Sequence, residues 1–79
     1  RLEQLGRRAL ETVAHIHHER AQRARHRSDA DARRHYDRAV EVYRRYVSAY
    51  PNHPSRYAIR YDLADALYWS GRWAEAAEV

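Results

Sequence analysis

The sequence predicts an all-α chain of about four helices arranged as stacked antiparallel hairpins. Three observations carry that prediction. Only two glycines and two prolines occur in 79 residues. No stretch alternates apolar and polar side chains as a half-buried strand would. Apolar residues recur instead at three- and four-residue steps, the period of a helix with one buried face.

Composition narrows the class further. All fifteen basic residues are arginine, and lysine, phenylalanine, methionine and cysteine are absent. We read this as the codon bias of a GC-rich bacterial genome. Net charge is +4, with eleven acidic residues interspersed among the arginines, so the chain is not a basic tail. Without cysteine neither a disulfide nor a Cys-based zinc site can form. No apolar run approaches the ~20 residues of a membrane span. A chain this short buries only about 60% of its unfolded surface, which predicts one small domain over residues 1–79. It starts at Arg1 and stops at Val79, a few residues into a helical pattern with no C-cap, which predicts a piece of a longer protein. Cell envelope and cytoplasm both stay open as compartments.

The first helix is expected from about Leu2 to Arg25, with Leu2, Leu5, Ala9, Val13 and Ile16 as its apolar stripe and Gly6 inside it. HRSDAD, residues 26–31, breaks it. Ser28 or Asp29 can then cap the next helix, and Asp29 and Asp31 suit the positive end of its dipole. That second helix is expected from about Ala32 to Ala49. Its stripe is Ala32, Tyr36, Ala39, Val40, Tyr43, Tyr46, Val47 and Tyr50. Arg33/Asp37 and Glu41/Arg45 fall at ion-pair spacing on the other faces. Pro51 ends it, because proline disfavours helical geometry in the preceding residue.

PNHPS, residues 51–55, is a turn, and Pro54 can occupy the first turn of a third helix running to Trp69. This helix carries two apolar lines. Ile59, Leu63, Ala66 and Leu67 form one; Tyr57, Tyr61, Ala64 and Tyr68 form the other. Two lines call for neighbours on two sides, as in the middle of a stack. Gly71 ends the helix, and Trp73, Ala76 and Ala77 begin a fourth.

Residues 39–77 resemble the tetratricopeptide repeat (TPR). Leu63-Ala64 and Leu67 take the places of the repeat's first-helix core, although Arg60 stands where tryptophan is common. Gly71, Trp73 and Ala76 follow at its spacing for the turn and the second helix. Upstream, Ala39, Tyr43 and Pro51 match the small residue, aromatic and terminal proline of a preceding second helix. The resemblance implies a solenoid fragment with an atypical first helix pair over about 1–50 and an incomplete second repeat over 54–79. It has the flavour of bacterial envelope-associated members. Ala39 and Ala76 lie 37 residues apart against a usual 34. Arg20–Ala30 does not match, so the helix ending near Ala24 is expected to be the first A helix, followed by a longer loop. A plain helical bundle is the alternative.

Little in the chain points to chemistry. His15, His18 and Glu19 share a helix face at ligand spacing, but nothing elsewhere completes a metal site. His17 lies nearest the apolar boundary. The serines fall at caps, turns and helix surfaces, no Gly-rich phosphate loop occurs, and Asp62 and Asp65 read as a solvated pair. Neither catalysis nor a cofactor is therefore expected.

Binding is the better expectation. The resemblance places Tyr61, Asp62, Asp65, Tyr68 and Trp69 at the concave surface made by first (A) helices, where a tryptophan beside carboxylates suits a peptide hot spot. Packing of Trp69 on a neighbouring repeat is the competing reading. Self-association through open repeat faces is a second expectation. The alternative function is an adaptor for nucleic acid or another anion through Arg20, Arg23, Arg27, Arg33 and Arg34. The interspersed acids weigh against it.

Overall fold

Four helices follow in order in the computed structural model, which describes residues 2–79, with Glu3 described by its backbone only. They are α1 (Arg7–Ala24), α2 (Asp29–Ala49), α3 (Arg56–Trp69) and α4 (Trp73–Glu78). A 3-10 turn over Leu2–Gln4 precedes them. Each helix packs on the next, in a slab of 35 × 26 × 17 Å.

The caps explain the boundaries. The Ser28 hydroxyl accepts a 3.2 Å hydrogen bond from the Asp31 N–H and starts α2, while Asp29 and Asp31 sit in its first turn. Gly71 ends α3 with φ of 86°, a conformation that other residues rarely adopt. Its N–H bonds to Tyr68 O at 3.1 Å and that of Arg72 to Leu67 O at 2.9 Å, the paired bonds of a Schellman turn.

Three expected boundaries are corrected. Gly6 is the N-cap of α1, not an interior residue, so the helix starts at Arg7. Pro54 lies in the turn, and α3 begins at Arg56 with Ser55 as N-cap. The expected long loop is a four-residue connection, Arg25–Ser28. The extra residues extend α2 instead. Ala39 is the eleventh residue of α2, whereas its repeat counterpart Ala76 is the fourth of α4. The α1–α2 hairpin is thus longer by seven residues, about 10 Å of helix.

Three buried tyrosines, Tyr36, Tyr43 and Tyr46, dominate the core. They fit because α1 presents a stripe of small residues, Ala14, Ala21 and Ala24, with Leu10 at one end. That stripe is not the expected one. Leu2, Leu5 and Val13 pack partly against the core, but Ala9 and Ile16 face solvent. The buried stripe contains His18, which hides it from a reading based on apolar residues alone. In α2 the expected residues are buried, except that Val47 and Tyr50 are half-buried; Val42 is buried as well.

Only one of the two lines on α3 is covered. Ile59, Leu63, Ala66 and Leu67 are buried against α2, whereas Tyr57, Tyr61 and Tyr68 are exposed. Trp73 is 65% exposed, and Ala76 is what α4 packs on the core. The ion pairs also differ from those expected. Arg34 pairs with Asp31, and Arg38 with Glu41 at 2.8 Å. Asp37 faces Arg72 at 3.7 Å, an interhelical contact invisible to spacing rules.

Candidate interaction surface

Two histidines of α1 reach two carboxylates of α3. His15 Nε2 lies 3.0 Å from Asp62 Oδ2, and His18 Nε2 lies 2.8 Å from Asp65 Oδ2. The three-residue spacing on each helix puts both members on one face, so the two pairs stack one turn apart. The face of α1 that carries His15 and His18 at ligand spacing is therefore occupied by interhelical pairs, and the described residues contain no cluster of three or more metal-ligating side chains. Asp62 and Asp65 are not a freely solvated pair but the links between α1 and α3.

The inner pair continues into the core. His18 Nδ1 is 2.7 Å from the Tyr43 hydroxyl. A carboxylate only accepts, so Nε2 carries the proton toward Asp65. In the neutral ring Nδ1 then accepts from the Tyr43 O–H. The result is a continuous chain from Tyr43 on α2 through His18 on α1 to Asp65 on α3. Burial pushes the Tyr43 phenol well above its usual range, with Asp62 and Asp65 adding to it, so the hydroxyl keeps its proton to donate. The His18 ring also meets the edges of Tyr36 and Tyr43, at 5.8 and 5.6 Å.

Among the described residues, two buried polar side-chain atoms have no protein partner. They are the Tyr36 hydroxyl and His17 Nδ1. His17 is half-buried and stacks on His35 at 6.2 Å. Burial holds its pKa down, and the charges of Arg38 and Arg20 add to the effect. His53 and Ser55 pin the turn before α3. The Ser55 N–H donates to His53 Nδ1 at 3.1 Å, and the Ser55 hydroxyl bonds both that ring and Tyr46.

Exposed aromatics surround the histidine–carboxylate pairs. Tyr61 is 75% and Trp69 46% exposed, and Tyr68 packs edge-on against Trp69 at 5.3 Å. Of the five residues proposed for partner binding, three thus offer open rings and two are half-buried carboxylates already held from α1. Tyr61, Ala64, Tyr68, Trp73, Ala76 and Ala77 line a shallow cleft between α3 and α4.

The arginine-rich end behaves differently from its linear appearance. Arg20, Arg23, Arg27 and Arg33 are exposed, and Arg34 is paired with Asp31. Arg20 and Arg23 lie on α1, Arg27 in the connection, and Arg33 and Arg34 at the start of α2. Arg25, one of the arginines around the first connection, stacks its guanidinium 3.9 Å over the Trp69 ring. A groove of about 650 Å³ opens there, between the α1–α2 connection and the α3–α4 turn. No local motif could have signalled it, because Arg25 and Trp69 are 44 residues apart.

Further electrostatics tie α4 down. Glu75 accepts from Arg44 at 2.6 Å and from Arg72 at 3.0 and 3.2 Å. These bonds, that to Arg72 first, hold its pKa down at about 2.

Comparison with known families gives a match to the tetratricopeptide repeat over residues 31–79. No curated protein and no solved structure matched.

Proposed function

Because the chain belongs to the tetratricopeptide-repeat family, whose repeats generally mediate protein–protein interaction, we propose that it is a non-catalytic interaction scaffold. On this reading the partner, a peptide or protein, lies on the surface made by the A helices α1 and α3, against Tyr61, Tyr68 and Trp69. The observation that carries it is the row of open rings on α3 beside two carboxylates fixed by α1. Large rings supply apolar area at low entropic cost, and a rigid backing keeps them from collapsing onto one another. His15–Asp62 and His18–Asp65 supply that backing by holding α1 and α3 at a set spacing.

Trp69 and the Tyr61 side of α3 also remain open for a neighbouring repeat or a second copy, so self-association is the accompanying proposal. Sedimentation across a concentration series tests it, and a monomer throughout would exclude it. For the principal reading, peptides selected on the immobilised chain from a random library should bind more weakly to Tyr61→Ala and Trp69→Ala. A loss of about tenfold is expected for a central aromatic. Selected peptides whose affinity neither substitution changes would refute the A-helix surface as the binding face.

A further inference from the structure

The groove at the turn edge adjoins the A-helix surface, shares Tyr68 and Trp69 with it, and adds its own chemistry. It is lined by ends rather than middles of helices: Arg25 and His26 after α1, Arg33 on α2, and Tyr68, Trp69 and Trp73 across the α3–α4 turn. It exists because the α1–α2 hairpin overhangs the shorter α3–α4 hairpin. Gly71 marks the level of the lower turn, with Arg33 Nη2 only 3.4 Å from where a Cβ would stand.

The groove is apolar at its floor and cationic at its walls. Neither Arg25 nor Arg33 forms an ion pair or a side-chain hydrogen bond among the described residues, in contrast to Arg34, Arg38, Arg44 and Arg72. Arg25 is held in place by the Trp69 ring instead, which leaves its N–H groups unspent. Asp29 is the one acid on the lining, against two guanidiniums.

We propose that this groove docks an acidic peptide segment, with one apolar side chain seated on Trp69 and Trp73 and flanking carboxylates held by Arg25 and Arg33. The planar guanidinium fork matches a carboxylate, and the aromatic floor matches an apolar side chain. A nucleic acid would use the same arginines and rings. Asp29 within the groove and the nearby acids Asp31 and Asp37 disfavour a run of phosphates, whereas a short peptide can place its carboxylates between them. The proposal rests on the chain being a protein-interaction module, not on the A-helix surface being its binding face.

The test exploits the fact that both tryptophans of the chain line this groove. Tryptophan quenching by acrylamide is measured during titration with a synthetic peptide of six glutamates flanking a central leucine. The same peptide with lysines for glutamates, and a single-stranded oligothymidine, are titrated in parallel. The glutamate peptide should protect the tryptophans, and its affinity should fall with added salt. Arg33→Glu and Arg25→Gln should each weaken it by about tenfold, and Arg8→Glu, at an exposed position in the first turn of α1, should leave it unchanged. Circular dichroism confirms that each variant is folded. Equal protection by the lysine peptide, or protection by oligothymidine at lower concentration, overturns the proposal. So does binding of the glutamate peptide that Tyr61→Ala abolishes and Arg33→Glu leaves intact; that outcome would retain the A-helix surface and discard the groove.

Discussion

Replacing Tyr43 and Tyr36 by phenylalanine, one at a time, should change stability in opposite directions. The two substitutions remove the same atom from equally buried rings that both pack edge-on against His18. Truncation to phenylalanine keeps each ring, so what separates the two is hydrogen bonding. The Tyr43 hydroxyl donates to His18 Nδ1 at 2.7 Å, so Tyr43→Phe strands a buried acceptor and interrupts the chain to Asp65. Losing that bond should cost about 2 kcal/mol, within the usual 1–3 for an orphaned buried group. For a domain of this size, that is a fall of roughly 8–16 °C in Tm. The Tyr36 hydroxyl is buried with no protein partner among the described residues, so Tyr36→Phe removes a desolvation penalty and should raise stability by about 1 kcal/mol, roughly 4–8 °C. Thermal melts followed by circular dichroism at 222 nm read both. Two melts shifted equally downward would refute the reasoning, because the hydroxyls would then be equivalent and the Tyr43–His18–Asp65 chain would carry no special weight.

Leu67, fully buried between α3 and α2, should cost about 2–5 kcal/mol on truncation to alanine, and chemical denaturation would expose any smaller loss as a sign of wrong packing. Gly71→Ala should destabilise by about 1–2 kcal/mol, since φ of 86° is left-handed; an unchanged melt would show that the turn relaxes. Glu75 has a folded pKa depressed to about 2 from 4.5, so its contribution is complete above pH 4.5 and is lost as pH falls toward 2. Amide protection in α4, taken relative to the intrinsic exchange rate at each pH, should therefore fall over that window, and Glu75→Gln should abolish the dependence. His17 works in the near-neutral range: its lowered pKa means the unfolded chain takes up the proton more readily, so stability should decline as pH drops below about 6.5. His17→Ala should flatten that slope in denaturation series run from pH 7.5 to 5.5.

The sequence by itself determined the helices, their order and their family. Apolar spacing needs only neighbours three and four residues away, and caps such as Ser28 and Gly71 act over one turn. The buried line on α3 and most of the stripe on α2 were legible for that reason. The phase of α1 was not. Its buried stripe runs through His18, whose burial is tolerable only because Tyr43 and Asp65, on two other helices, satisfy both ring nitrogens. Tertiary structure alone decided that Asp62 and Asp65 link helices instead of meeting solvent, and that an arginine of the first connection stacks on Trp69. It also placed the extra residues of the first repeat in helix α2, where seven residues become an overhang and the overhang becomes a groove. Local periodicity carries no record of such pairings, because the partners lie 25 to 47 residues apart in the chain and meet only when the helices stack.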